Sequence, residues 1–117
     1  MSQTIILVEN QPDIREINGS LLQQAGYNVI SEENAVEALR RVNRDNVDLI
    51  VTEINLPEMD GNQFIKELSR LSYSPPVLVL TKDIARIATN PLIKEVLQKP
   101  FTCKQLRQLI DRAISHS

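Results

Sequence analysis

Residues Val47–Gly61 read VDLIVTEINLPEMDG, and the fold is decided by this stretch. Its apolar run, Leu49–Val51, lies between an aspartate and a loop that contains Pro57 and a terminal glycine. A short apolar run with these boundaries is typical of a strand that is buried on both faces of a parallel sheet. In open α/β sheets, ligands bind outside the carboxyl ends of the strands, and Glu53 stands at such an end. Glu53 is therefore the first candidate functional residue.

The composition points to one globular domain and excludes several kinds of partner. The 117 residues are enough for a single core, so we expect one domain over residues 1–117. The net charge of −2 offers no basic field for nucleic acid or for an anionic membrane, and we expect neither as a partner. Cys103 is the single cysteine, so an internal disulfide is excluded. Without an apparent signal peptide or membrane span, we expect a cytoplasmic protein.

The rest of the chain alternates between strand and helix patterns around this central strand. The other predicted strands are Ile5–Val8, Tyr27–Ile30, Val77–Leu80 and a weak Val96–Gln98. Helical patterns occupy residues 12–25, 34–45, 61–71 and 83–89, and a last helix follows Thr102 as its N-cap. Five strands alternating with five helices indicate a doubly wound α/β domain, a flavodoxin-like (βα)5 three-layer sandwich. The expected parallel sheet has the order 2-1-3-4-5, and we expect the fourth helix to be short or irregular.

This strand order brings a group of polar side chains to one edge of the sheet. The ends of strands one and three meet at the topological switch point, so Glu9 and Asn10 should lie beside Glu53. Thr81 and Lys99, at the ends of strands four and five, should line the other side. Carboxylates suit a hard cation, and a lysine and a hydroxyl suit phosphoryl oxygens. The set is typical of a magnesium-assisted phosphoryl site.

The motifs together resemble one family along nearly the whole chain, the receiver domains of two-component response regulators. The residues that carry the resemblance are ILVEN at 6–10, QPDIRE at 11–16, DLIVTEINLPEMDG at 48–61, VLVLT at 77–81 and KPF at 99–101. Any one of them alone is a weak signal, but their combination at these separations is specific. The strand order given above is that of family members, so the fold prediction is not independent of the resemblance.

The resemblance implies a role for each residue at the predicted edge. Glu53 matches the phosphoaccepting aspartate of the family. Glu9 and Asn10 match an acidic pair that supports magnesium, and Asn55 matches a residue whose backbone carbonyl binds the metal. Any metal bound here would depend on Glu9, Glu53 and Asn55, which are weak candidates.

Two further implications concern the remaining edge residues and a contact surface. Thr81 and Lys99 match positions that contact the phosphoryl group, and the Lys99–Pro100 peptide bond is expected to be cis. In the family, the face made by the fourth helix, fifth strand and fifth helix contacts other proteins. Apolar surface in that region of this chain comes from Ile84, Ile87, Ile93, Val96 and Leu97, of which the first four are the candidate contact residues. We expect a protein partner there, with a second copy of the chain as one option.

Several positions depart from the family pattern where the chemistry occurs. Glu53 is longer than aspartate by about one C–C bond, ~1.5 Å, and a misplacement of about 1 Å can cost ~100-fold in a positioned reaction. Asn10 replaces a charged metal ligand with a neutral one, and the bulky Lys82 stands where a small residue is usual. Val96 has no ring at the position where family members have a rotating aromatic residue. The chain therefore reads as a degenerate receiver, or pseudo-receiver.

The main hypothesis is a phosphorylation-independent regulatory or protein-interaction module in two-component-type signalling, without enzymatic activity. Glu53, Glu9, Asn10, Thr81 and Lys99 would then form a vestigial pocket with doubtful Mg²⁺ binding. Within it, Glu53 either pairs structurally with Lys99 or mimics the phosphorylated state.

The first rival is a working phosphoacceptor that receives its phosphoryl group from a histidine kinase, at Glu53 or at a residue such as Asp60. The second rival is a small-ligand pocket at the switch point. It ranks last because Gly19, Gly26 and Gly61 are the only glycines and form no phosphate cradle.

Overall fold

Five strands alternate with four α-helices in the part of the chain that the structure describes. This computed structural model describes residues 2–115, and the side chains of residues 2–114. The elements are β1 (Thr4–Val8), α1 (Pro12–Gln24), β2 (Asn28–Glu32), α2 (Ala35–Arg44), β3 (Leu49–Thr52), α3 (Gly61–Leu68), β4 (Val77–Thr81), β5 (Ile93–Gln98) and α4 (Cys103–Ser115). Over residues 2–115, no helix is both long and apolar enough to span a membrane.

The sheet is parallel and has the strand order β2-β1-β3-β4-β5, which confirms the predicted fold class. Its register decides which loop residues meet. Val8 of β1 is paired with Thr52 of β3, so the residues that follow them, Glu9 and Glu53, leave the sheet at the same level. Thr81 lies at the corresponding end of β4 and is paired with Gln98 of β5.

The core has two layers because side chains of a strand alternate between the two faces of a sheet. On one face, Ile50 packs with Phe64 and Leu68 of α3 and with residues of α2. On the other face, Val51 packs with Leu106 of α4 and with a residue of α1. The central strand therefore contributes to both layers, which explains its unbroken apolar run.

The ends of the helices follow from local side-chain chemistry. Asn34 caps α2 by accepting a hydrogen bond from the Glu37 amide at 2.9 Å. At α4, Thr102 Oγ1 accepts from the Gln105 amide at 3.1 Å, and Gln105 Oε1 accepts from the Thr102 amide at 2.8 Å. This reciprocal pair is a capping box, and it confirms Thr102 as the N-cap.

The fourth helix, predicted at residues 83–89 and expected to be short or irregular, is short and is not an α-helix. Only Ile84–Arg86 forms a helical turn, and this turn is of the 3-10 type. The segment is short and is followed by Asn90 and Pro91, so few helical hydrogen bonds could be made. Side-chain bonds replace them: Asn62 donates to the Arg86 carbonyl at 2.7 Å and accepts from the Ala88 amide at 2.9 Å.

The predicted fifth strand is too short. β5 begins at Ile93, three residues before the predicted Val96. It is an edge strand, in which Lys94, Val96 and Gln98 are exposed while the residues between them are half-buried. The charged side chains of this alternating pattern do not resemble a buried run, so the apolar criterion found only the end of the strand.

Gly61 joins the third helix to the functional edge of the sheet. A Cβ atom at this position would lie 2.6 Å from the Glu53 carbonyl oxygen and 2.7 Å from the Ile54 Cα atom. The Gly61 amide also donates to the Ile54 carbonyl at 2.8 Å. The absence of a side chain thus allows α3 to begin directly against the backbone that carries Glu53.

We expect Gly61→Ala to lower the free energy of unfolding by about 1 to 3 kcal/mol, because backbone atoms must move to admit the methyl group. Urea unfolding measures this change. Ser20→Ala, at an exposed position of α1, is the control and should stay within ~0.5 kcal/mol of the wild type. Equal stability of the two variants would contradict the close approach at Gly61.

Candidate functional site

The carboxyl edge of the sheet brings together four of the predicted site residues. Glu9 follows β1, Glu53 follows β3, Thr81 ends β4 and Lys99 follows β5. The two glutamates are 2% and 5% exposed, and Thr81 is fully buried. Charged groups at this depth require partners, because the loss of hydration is otherwise not compensated.

Lys99 supplies the charge that both glutamates need. Its Nζ atom lies 2.7 Å from Glu9 Oε1 and 2.9 Å from Glu53 Oε1, so one ammonium group bridges the two carboxylates. Strand β4 holds Lys99 in place, because the Lys99 amide donates to the Thr81 carbonyl at 3.0 Å. The Lys99–Pro100 peptide bond is cis, as the family resemblance implied.

The second carboxylate oxygen of Glu53 is bound by its own loop. Glu53 Oε2 accepts hydrogen bonds from the backbone amides of Ile54 at 2.6 Å and Asn55 at 3.1 Å. The Glu53 amide in turn donates to the Val8 carbonyl at 3.1 Å. The extra methylene of glutamate, compared with aspartate, allows the carboxylate to fold back onto these amides while it still reaches Lys99.

Folding shifts the pKa values of this ion pair in opposite directions. Burial by itself raises the pKa of Glu53, but hydrogen bonds from Lys99, Thr81 and the Asn55 amide outweigh burial and lower it. Burial by itself lowers the pKa of Lys99, but the bonds to Glu9 and Glu53 raise it above its usual 10.5. Both shifts favour the charged forms, so the bridge is ionised at neutral pH.

Glu9 has weaker partners than Glu53. Its Oε2 atom accepts one long bond, 3.3 Å, from the Gln11 amide. Arg15 approaches from α1 but donates to the Glu9 backbone carbonyl, at 2.8 Å, and not to the carboxylate. Two carboxylates and one ammonium group leave this buried cluster with one excess negative charge.

The oxygen ligands that this cluster offers a divalent cation are two carboxylates and a neutral amide. Mg²⁺ demands octahedral oxygen coordination, usually from carboxylates and water. Both carboxylates here already bind Lys99, and Asn10 is exposed and offers only a neutral amide. Within residues 2–115, no group of three or more acidic, histidine or cysteine side chains is arranged to hold a metal ion.

Asn55 connects the cluster to the segment after β4. Its backbone amide binds Glu53, while its side-chain nitrogen donates to Asp83 Oδ2 at 2.6 Å. Its side-chain oxygen accepts a hydrogen bond from Arg86 Nη1. Sequence reasoning considered only the backbone carbonyl of Asn55 and missed this role. Nothing in the local pattern identifies residues 83 and 86 as its partners.

A cleft of about 580 Å³ opens beside the cluster. Residues expected at the site, among them Asn10 and Lys82, line one part of it, and Ile17, Asn18 and Phe101 line another. Asn18 was not predicted as a functional residue, although it is a polar residue on the otherwise apolar stripe of α1. That interruption of the stripe is the sequence signal that could have found it.

The residues of the predicted contact face fall into two groups. Ile84 and Val96 are 43% and 37% exposed, whereas Ile87 and Ile93 pack against the core. Val96 is paired with Val79 in the sheet and so faces the same side as that core residue. Because a 3-10 turn takes the place of an α-helix, the face of β5 that carries Val96 is left partly uncovered.

Comparison with known proteins agrees with this architecture and site. The response regulator receiver domain family matches residues 5–111. The chain belongs to this family, and receiver domains are signalling modules of two-component systems.

Individual relatives share most of this chain but differ in length. The chain is 33% identical to the transcriptional regulatory protein GlrR of Escherichia coli, over 97% of this chain and 26% of that protein. It is 29% identical to the response regulator receiver protein CpdR of Brucella abortus, over 94% of this chain and 95% of that protein. The chain thus spans about a quarter of GlrR and nearly all of CpdR.

A solved structure similar to this one is the receiver domain of a sensor histidine kinase from Pseudomonas aeruginosa. It superposes with a TM-score of 0.89 at 26% identity and covers 98% of this chain and 99% of that chain. That structure has a magnesium ion coordinated in its active site cleft.

We expect Lys99→Met to cost about 3 to 5 kcal/mol of stability, because it leaves two buried carboxylates without their cation. In the wild type, the lowered pKa of Glu53 means that its contribution is lost as pH falls through the folded value. The raised pKa of Lys99 means that its contribution is lost as pH rises through a value above 10.5. In the variant, the bond from Lys99 no longer offsets the burial of Glu53, which by itself raises the pKa of that carboxyl, so mild acid should stabilise the variant.

Urea unfolding at neutral and mildly acidic pH measures both the loss and the reversed pH slope. Lys66→Met is the control, because Lys66 is exposed on α3, and it should change stability by less than ~0.5 kcal/mol. A Lys99→Met protein with wild-type stability and wild-type pH slope would show that the bridge does not hold the edge together.

Proposed function

We propose that this receiver-like domain is not phosphorylated at Glu53 and acts as a phosphorylation-independent regulatory or protein-interaction module in two-component-type signalling. The observation that carries the proposal is the state of the Glu53 carboxylate, which is 5% exposed and has partners on both oxygens. A phosphoacceptor must present a carboxylate oxygen to the phosphoryl donor. Here both carboxylate oxygens of Glu53 are held, one by Lys99 and the other by two loop amides. The domain would carry no enzymatic activity of its own.

Weak metal binding is the second element of the proposal. Phosphoryl transfer depends on cations that neutralise the developing charge. The neutral Asn10 and the engagement of Glu9 and Glu53 with Lys99 argue against a stable Mg²⁺ site. Asn55, the remaining weak candidate, uses its side chain to bind Asp83 and Arg86.

The pairing of Glu53 is best explained as structural. Glu53 binds Lys99 and Thr81, the residues that contact the phosphoryl group in the family resemblance, and this favours mimicry of the phosphorylated state. However, a carboxylate brings one negative charge, less than the ~1.5 to 2 of a phosphoryl group. Val96 also supplies no ring that could report such a state at the surface. We therefore assign Glu53 to satisfying the half-buried ammonium group of Lys99.

The proposed partner is another protein, bound at the surface that contains Ile84 and Val96. Ile84 lies in the 3-10 turn and Val96 lies on β5, and both side chains are exposed. Exposed apolar surface of this kind favours an interaction site. A second copy of this chain is the alternative partner. Nucleic acid and membrane are not proposed as partners of this domain, because its net charge is −2. We place this function in the cytoplasm and assign it to a single domain over residues 1–117.

A working phosphoacceptor, supplied by a histidine kinase, is the second candidate function. The magnesium ion in the active site cleft of the Pseudomonas aeruginosa receiver domain, which is 26% identical, favours it. If the same cleft here held magnesium, Glu53 or Asp60 could accept the phosphoryl group.

Incubation with acetyl phosphate and magnesium chloride, followed by intact mass measurement, should show no phosphoryl adduct. The physical reason is that Glu53 is buried and has partners on both oxygens. An adduct located on Glu53 by peptide mass analysis would overturn the proposal, and one on Asp60 would support the second candidate.

The double substitution Glu53→Asp and Asn10→Asp should restore magnesium binding, measurable by calorimetric titration. It shortens the acceptor and returns the charge that a hard cation prefers. Lys66→Met in the same double background is the control and should bind equally. If the double variant still fails to bind magnesium, the cause is Lys82 or the loop geometry, which Lys82→Ala in that background distinguishes.

A further inference from the structure

The cleft beside the charged cluster has the size and the apolar wall of a small-molecule site. Its volume is about 580 Å³, and ligand pockets commonly measure ~300 to 1,000 Å³. It is lined by Ile14 and Ile17 of α1 and by Pro100 and Phe101 of the loop that follows β5. Ile17 is 64% exposed, so this wall includes a large apolar side chain that the fold does not cover.

One buried polar group in this wall has no structural explanation. Asn18 lines the cleft and is 6% exposed, and its Nδ2 atom has no hydrogen-bond partner within residues 2–115. A buried donor without an acceptor lowers stability, and an apolar residue of similar size would avoid that loss. The amide can rotate about its Cβ–Cγ bond, which is a soft torsion, and so present the donor to a molecule in the cleft.

The charges around the cleft cancel. Glu9, Glu53 and Lys99 together carry one excess negative charge. Lys82 also lines the cleft, is exposed and has no ion pair with any residue in the described part of the chain, and it adds one positive charge. The sum is zero, so the cleft offers neither a net anion site nor a net cation site.

We propose that this cleft binds an uncharged, flat, amphipathic organic molecule. Its apolar body would pack between Ile17 and Phe101, and a carbonyl or similar acceptor would take the hydrogen bond that Asn18 offers. This inference goes beyond the regulatory role proposed above. It does not depend on whether Glu53 accepts a phosphoryl group, because the contacts come from α1 and from the loop after β5.

Titration with Nile red, an uncharged flat dye with a carbonyl acceptor, tests the proposal through its fluorescence. We expect saturable binding with one site per chain. Asn18→Leu should weaken binding roughly fivefold, the equivalent of one net hydrogen bond. Its urea midpoint should be equal to or above that of the wild type, because the unpartnered donor is removed.

A second variant and a matched control separate this cleft from general apolar adsorption. Ile17→Ser should also weaken binding, whereas Tyr73→Ser, which removes an exposed apolar ring outside the cleft, should leave it unchanged. In a ¹⁵N-labelled protein, the side-chain amide signals of Asn18 should shift on binding.

Two results would overturn the proposal: fluorescence that does not saturate, and equal affinity for the wild type, Asn18→Leu and Ile17→Ser. The mass measurement with acetyl phosphate is unaffected by either result, so the two proposals fail separately.

Discussion

The bridge from Lys99 Nζ to Glu9 Oε1 and Glu53 Oε1 is the interaction on which the rest of the functional edge depends. It joins the loops that follow β1, β3 and β5, where the regular hydrogen bonding of the sheet ends. A buried ion pair of this kind adds little net stability, because desolvation of the ions consumes most of the Coulomb attraction. Removing one member is costly, however, and this asymmetry keeps the three loops in one arrangement.

The length of the Glu53 side chain lets both of its carboxylate oxygens reach partners. The carboxylate reaches Lys99 with one oxygen and returns to the amides of Ile54 and Asn55 with the other. Asn55 then continues the network to Asp83 and Arg86 through its side chain. The charged cluster is thus linked by hydrogen bonds to the segment where the outer face of β5 is uncovered.

The two sides of the sheet are covered unequally, and both proposed contact regions follow from this. On the side of α2 and α3, a 3-10 turn replaces a helix and leaves Val96 partly exposed. On the side of α1 and α4, the cleft opens next to the charged cluster and includes the unpartnered amide of Asn18. One region has an apolar outer surface that suits a protein. The other is concave and has the dimensions of a small molecule.

The sequence, through its strand pattern and its resemblance to receiver domains, determined the fold class, the strand order and the meeting of Glu9, Glu53, Thr81 and Lys99, because buried strands and their parallel connection leave few arrangements. It also determined the Thr102 cap, which is a local interaction between residues three apart. Only the tertiary structure decided that residues 83–89 form a single 3-10 turn in place of an α-helix, that β5 begins at Ile93, and that Asn55 binds Asp83. Those outcomes depend on contacts between residues that are distant in the sequence. Local patterns of apolar residues and backbone preferences do not identify the distant partner of a side chain.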